Sequence, residues 1–206
     1  MAEREILIRE AALSDLGSIF YLYDNYMFDS YLSRLGGSFV KRYLRLIIDS
    51  EDCIALVAEE REDRAVGFIM ATTDTKKIMI KLLFDAGILW AWLKQILLHP
   101  ISVLKGMELG LYPFKAYLKG VDAEFLFIAV RPEYRKINLG IDLIKKTIAI
   151  MGLEGIKKVK VSTIAKNEVV NSLLRKLGFK FERTFMMFGK DMYLYSYETG
   201  HAFLFP

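Results

Sequence analysis

The chain reads as an α/β protein with a mixed sheet flanked by helices, and three observations carry that reading. Short apolar runs of strand length alternate with longer stretches whose apolar residues recur at helical spacing. Paired strand-like runs stand around turn residues both early in the chain and at its end. Between them, the run Phe125–Val130 passes through a basic turn directly into a helical stretch. With 53% hydrophobic residues in 206, core material is ample, and neither a repeat nor a low-complexity linker divides the sequence. A single domain over residues 1–206 is expected.

Taken in order, Ile6–Ala11 reads as the first strand. Ser14 or Asp15 is positioned to cap the next helix, which carries Leu16, Ile19, Phe20 and Tyr23 on one face. Gly36-Gly37 breaks that pattern, and Ser38 opens a second helix with Phe39, Tyr43, Leu46 and Ile47 facing inward. Ile54–Glu59 and Ala65–Thr72 read as the second and third strands, joined by the charged hairpin 61–64. The segment from about 73 to 120 is too long for an unstructured loop and is expected to be helical. Ile80, Leu83, Phe84, Gly87, Ile88, Ala91, Trp92, Gln95 and Ile96 form a helical pattern that stops at His99-Pro100. A shorter helix falls within Leu104–Lys119, punctuated by Gly106, Gly110 and Pro113. Asp85, Lys94 and Gln95 interrupt the apolar stretch, which falls short of the ~20 residues of a membrane span. Three uses stay open for this segment: a cap over the substrate or sheet, a homodimer contact, or a membrane-surface contact through Trp90, Trp92 and Lys94.

Phe125–Val130 reads as the fourth strand, ended by Arg131 and Pro132, since proline donates no ladder hydrogen bond. The basic turn Arg135-Lys136-Ile137-Asn138-Leu139-Gly140 follows, and Ile141, Leu143, Ile144, Ile148 and Ile150 continue at helical spacing. A helix start offers unpaired N–H groups and the positive end of the helix dipole, which suits a phosphate. The competing reading is an ordinary connection in which Asn138 and Gly140 merely relieve backbone strain. Lys157–Thr163 reads as the fifth strand and Asn167–Leu177 as a helix closed by Gly178. Phe181–Phe188 and Met192–Tyr197 complete a terminal hairpin.

Charge narrows the ligand classes. From Arg131 to Arg183 there are thirteen basic and five acidic residues, against sixteen and twenty in the rest of the chain. A basic half fits nucleic acid, a membrane surface or a polyanionic cofactor. No nucleic-acid motif accompanies it, so no nucleic-acid partner is expected. With His99 and His201 the only histidines, a histidine-rich metal site is not expected. The charged start Met1–Glu5 lacks the apolar region of a secretory signal, and a single cysteine excludes an internal disulfide framework. A cytoplasmic setting is expected, with Cys53 buried in its strand rather than catalytic.

Two blocks carry a resemblance. Val130, Pro132, Glu133, Tyr134, Arg135 and Gly140 resemble the acetyl-CoA signature of the GNAT acetyltransferase superfamily, V-x-P-E-Y-R-x-x-G-x-G/A, with Asn138 in place of the first glycine. Residues 167–179 are similar to the superfamily's N-x-x-A-x-x-x-Y-x-x-x-G-F. There Asn167, Gly178 and Phe179 match, Val170 replaces alanine and Leu174 replaces the tyrosine. The resemblance implies a mostly antiparallel twisted sheet, with 73–120 a helical insertion between strands 3 and 4.

It also implies a site. The fourth strand would part from the fifth, leaving backbone groups of Ile128, Ala129 and Val130 for the pantetheine arm and Val130 N–H for the oxyanion. Arg135, Lys136, Ile137, Asn138, Leu139 and Gly140 would wrap the pyrophosphate, Ile141 would begin the helix, and Asn167 would face the pantetheine arm or the acetyl end. Glu124 would act through water as the base, or else be an exposed strand-end residue. With Leu174 at the tyrosine position, Ser172, Tyr193 or Tyr195 would protonate the thiolate, or it would leave unassisted. The implied function is acetyl-CoA-dependent N-acetyl transfer to a primary amine, on a small molecule such as an amino sugar or on a peptide N-terminus. The alternative is a catalytically weak CoA-binding sensor or assembly module, suggested by Leu174 and Asn138.

Overall fold

The computed structural model describes residues 6–27, 32–60, 64–90, 108 and 110–200. Its elements run β1 (Ile6–Glu10), α1 (Leu16–Tyr26), α2 (Gly37–Ile48), β2 (Cys53–Glu60), β3 (Arg64–Thr72), α3 (Thr75–Phe84) and α4 (Tyr112–Lys115). Then follow β4 (Ala123–Val130), α5 (Pro132–Arg135), α6 (Leu139–Leu153), β5 (Lys158–Ile164), α7 (Glu168–Lys176), β6 (Lys180–Met187) and β7 (Lys190–Glu198). Among the described residues, seven strands form one sheet in the order β1-β2-β3-β4-β5-β7-β6. Every neighbouring pair is antiparallel except β4 and β5. The expected mixed, mostly antiparallel α/β architecture is what the chain adopts.

Both faces of the central strands are covered, which is why β2 and β3 read as near-continuous apolar runs. Val57, Phe68 and Met70 pack with Ile19, Leu22, Tyr23, Phe39, Tyr43, Leu44 and Ile47 of α1 and α2. Leu56, Ile69 and Ala71 pack on the opposite side with Leu143, Ile144 and Ile148 of α6 and Leu174 of α7. Each such fully buried side chain contributes about 1.5–3 kcal/mol of apolar transfer free energy. Helix α6 lies close over β3 at Gly67. A Cβ there would stand 3.2 Å from Val130 Cγ2, 3.3 Å from the Ala129 carbonyl oxygen and 3.4 Å from Leu143 Cδ1.

Local chemistry differs from expectation in several places. Neither Ser14 nor Asp15 caps α1 through its side chain. The Asp15 carboxylate instead accepts from Ala12 N–H at 2.8 Å and from Arg9, tying β1 to the helix entry. The helix expected from Ile80 onward begins earlier, at Thr75, because Asp74 accepts from the N–H groups of Lys76 and Lys77. Its inner face is Thr75, Ile78, Met79 and Leu82, whereas Ile80, Leu83 and Phe84 are exposed. The helix stops at Asp85, whose carboxylate accepts from Gly87 and Ile88 N–H and so caps a new helical turn at 86–90. Pro113 opens α4 rather than breaking it, as proline suits a first turn. Trp90 is exposed, while Ala91, Trp92, Lys94, Gln95, Ile96, His99, Leu104 and Gly106 lie outside the described residues. So do Met1–Glu5, the loop 61–63 and His201. Among the described residues no helix is long and apolar enough to cross a membrane.

Candidate active site

Strands β4 and β5 pair in parallel only through Ala123–Phe125 and Val159–Val161, then part. At the same point β4 carries one extra residue against β3: Phe125 faces Ala71 and Phe127 faces Met70, so Leu126 is a bulge. Beyond the bulge the edge of β4 turned toward β5 is unpaired by that strand. The Arg131 N–H donates to the Val66 carbonyl at 2.9 Å, which sets the alternation of the ladder. Ala129 therefore directs its backbone groups to Phe68 of β3, and Ile128 and Val130 direct theirs to the open edge. The expected trio is thus a pair, with Ala129 committed to the sheet.

The open edge leads to the basic turn. Asn138 precedes α6 with φ 63° and ψ 15°, the left-handed conformation, and makes no side-chain cap. Arg135 donates from Nε to the Val130 carbonyl at 3.0 Å, and its guanidinium lies 5.8 Å from the centre of the Tyr26 ring. Helix α6 begins at Leu139, two residues before the expected Ile141. The Leu139 side chain is buried in the core, so only its backbone belongs to the turn, while Ile137 is exposed. Left-handed backbone costs a non-glycine residue about 1–2 kcal/mol, with asparagine the best tolerated. Asn138→Gly is therefore expected to keep the fold and the shape of the turn intact. Asn138→Val is expected to lower stability by that amount and weaken CoA binding, as thermal denaturation and calorimetry would show; equal tolerance of both changes would refute this shape for the turn.

A cavity of about 300 Å³ opens where β4 and β5 part. Its wall includes Phe125–Phe127 of β4, Ser162–Ile164 of β5 and Asn167, with Ile78, Met79 and Leu82 of α3 and Met187 and Met192 of the terminal hairpin. Thr75 and Tyr112 also line it. Asn167 stands in this wall and caps α7, accepting from Val170 N–H at 3.3 Å. The Ser162 hydroxyl oxygen is buried; it stands near Tyr112, but no group meets hydrogen-bond geometry with it.

Glu124 is neither exposed nor in the cavity wall. Its exposure is 0%, and it lies behind Thr75 and Tyr112 of that wall. Tyr112 donates to Oε1, Thr75 lies 2.9 Å from Oε2, and the buried Lys160 ammonium is 3.7 Å from Oε2. Burial pushes the carboxyl above the usual glutamate range, against the opposing pull of Lys160, Tyr112 and Thr75. The Thr75 hydroxyl also lies 2.7 Å from the Asp122 carbonyl, so its single proton is shared between that carbonyl and the carboxylate. Burial, and then the Glu124 charge, hold the Tyr112 hydroxyl well above its ordinary pKa, so it is no standing tyrosinate.

Other expected residues fall elsewhere. Val130 lies at the turn end of the edge, outside the cavity wall, with its carbonyl taken by Arg135. Ile128 adjoins Phe127 of the wall but is not itself part of it. Tyr195 is fully buried and its hydroxyl accepts from Arg175, Tyr193 packs edge-on against Phe181, and neither they nor Ser172 line the cavity. Leu174 is buried in the core. Cys53 is partly buried, and burial raises its thiol pKa, which removes it as a nucleophile. Tyr112 went unread in the sequence because it lies in a segment with no motif and meets Glu124 only through the fold.

Residues 19–179 match the acetyltransferase (GNAT) family. Among solved structures, NAA60 of Arabidopsis thaliana, in complex with acetyl-CoA, is 16% identical with a TM-score of 0.61, over 94% of this chain and 98% of that one. The ribosomal-protein-S18-alanine N-acetyltransferase of Escherichia coli is 12% identical, TM-score 0.59, over 95% and 94%. The spermidine/spermine N-acetyltransferase SpeG of Vibrio cholerae is 14% identical, TM-score 0.59, over 96% and 95%. No curated protein sequence matches the chain.

Proposed function

The chain belongs to the acetyltransferase (GNAT) family, and on that premise we propose that it is a single-domain, cytoplasmic N-acetyltransferase that moves the acetyl group of acetyl-CoA to a primary amine. The observation that carries this reading is the parting of β4 from β5 over a cavity, with an open backbone edge running from that cavity to the basic turn. Similarity to a structure that holds acetyl-CoA supports it. The pyrophosphate lies against Arg135–Gly140 and the α6 N-terminus, where backbone N–H groups and the helix dipole favour an anion. The pantetheine arm pairs with the Ile128 and Val130 backbone, and the thioester carbonyl reaches the cavity beside Ile128 N–H and Asn167.

The amine then attacks the thioester carbonyl within the cavity. Its proton passes to the Tyr112 oxygen as the Tyr112 proton passes to Glu124, which is reached from the cavity only across the hydroxyls of its wall. Ile128 N–H stabilises the oxyanion, taking the role expected of Val130. Collapse expels CoA as the thiolate; an ordinary thiol has a pKa of roughly 8.5, so it leaves more readily than the amine. The alternative, a CoA-binding module without turnover, is favoured by the buried Leu174 where a hydroxyl would assist the thiolate. Thiol release from acetyl-CoA that depends on an added amine is the expected result and separates the two. CoA binding with no amine-dependent thiol release would leave the binding module.

A further inference from the structure

Resting on the acetyl-transfer reading, we propose that the acceptor amine carries an apolar side chain, of about leucine to phenylalanine size, that fills the cavity between α3 and the terminal hairpin. The amine must reach Tyr112, and Tyr112 is part of this cavity's wall. Whatever the amine carries therefore lies among Ile78, Met79, Leu82, Met187 and Met192. At about 300 Å³ the cavity is at the small end of ligand pockets, which suits an acetyl group together with one such side chain rather than a large acceptor.

The wall also rejects the polar alternatives. Among the described residues lining it none is Asp or Glu. A second cationic centre on a polyamine would meet no carboxylate in this wall. An amino sugar would find hydroxyls on one side only, at Thr75, Tyr112, Ser162 and Thr163, and would leave its remaining hydroxyls unpaired against Ile78, Met79, Leu82, Met187 and Met192. Methionine is unbranched and adapts to irregular apolar shapes, so the wall accepts a range of aliphatic and aromatic groups.

The same side chain could arrive on a free amine or on the first residue of a peptide, and the assay distinguishes these sources. With saturating acetyl-CoA, thiol release is followed for leucinamide, phenylethylamine, peptides beginning with Leu or Phe, glucosamine and spermidine. The expected result is a kcat/KM at least about 100-fold higher for the apolar acceptors than for glucosamine or spermidine. Comparable rates for leucinamide and the Leu peptide mean that the side chain alone is read. A strong preference for the peptide makes the N-terminus the source, and both outcomes support the proposal. Glucosamine or spermidine equalling the apolar amines overturns it. So does the absence of turnover with every apolar acceptor while calorimetry shows tight CoA binding, a result that leaves the cofactor reading standing. Loss of CoA binding itself would sink that underlying reading. As a second probe, Met192→Glu, at a partly exposed position, should cut kcat/KM for leucinamide at least about tenfold with CoA affinity within twofold of the wild type. Unchanged leucinamide kinetics in that variant would also overturn the proposal.

Discussion

Tyr112→Phe is expected to lower turnover by roughly 100-fold or more, the scale of a general acid–base contribution, while CoA affinity stays close to the wild type. The substitution keeps the ring against Phe185 and removes only the hydroxyl that joins the cavity to Glu124. Glu124→Gln should cost a similar factor, because the amide cannot hold the proton. If the two act as one relay, the double variant should be little worse than either single one, since residues acting as a unit are strongly non-additive. The pH profile distinguishes a relay from a structural role. Glu124 must be ionised to accept a proton, and its burial sets its pKa above the ordinary glutamate range. The wild-type kcat/KM should therefore fall on the acid side at a pH above that range, and Glu124→Gln should lack this limb. Wild-type rates in Tyr112→Phe would remove the relay and leave catalysis to positioning and the Ile128 oxyanion contact.

Arg135→Glu should weaken CoA binding by about 100-fold, which corresponds to about 2.7 kcal/mol. Charge-assisted hydrogen bonds to phosphate are the strong class, and the variant replaces attraction with repulsion at the same point. Arg135 also donates to the Val130 carbonyl, so part of the loss could come from the shape of the turn. Lys136→Glu serves as the control. Lys136 is exposed, so its substitution should lower affinity by a smaller, salt-dependent factor without moving the melting temperature. Calorimetry at two salt concentrations reads both effects. An unchanged CoA affinity in Arg135→Glu would move the pyrophosphate away from this turn.

Sequence legibility followed the range of the forces involved. The strands and the α6 turn were readable because their signals are local: apolar runs, Pro132 after Val130, and an asparagine where left-handed backbone is required. The inward face of α3 was not legible because apolar residues stand on both of its sides: Ile78, Met79 and Leu82 are buried, whereas Ile80, Leu83 and Phe84 are exposed. Glu124 carried a legible warning, standing between Ala123 and Phe125 in an apolar run, as Lys160 stands between Val159 and Val161. What was not legible is that the parallel register sets these two residues opposite each other. Nor does any local rule bring Tyr112 to Glu124 from a motif-free segment, since tertiary packing alone sets that contact.

The extra residue at Leu126 also makes β4 two strands in opposite phase. Phe125 and Phe127 are two positions apart and in regular pleating would share a face. Instead Phe125 lies against Phe179 in the α6–α7 layer, and Phe127 meets Tyr23 and Tyr43 edge-on in the α1–α3 layer. Losing Leu126 would restore even alternation and leave both rings on their present sides, so the extra residue serves the departure of β4 from regular pairing rather than the placement of either ring. A deletion elsewhere in β4 would instead carry every residue beyond it to the opposite face. The gap that opens beside β4 is inherited as a matter of counting residues, independent of which apolar side chains occupy them.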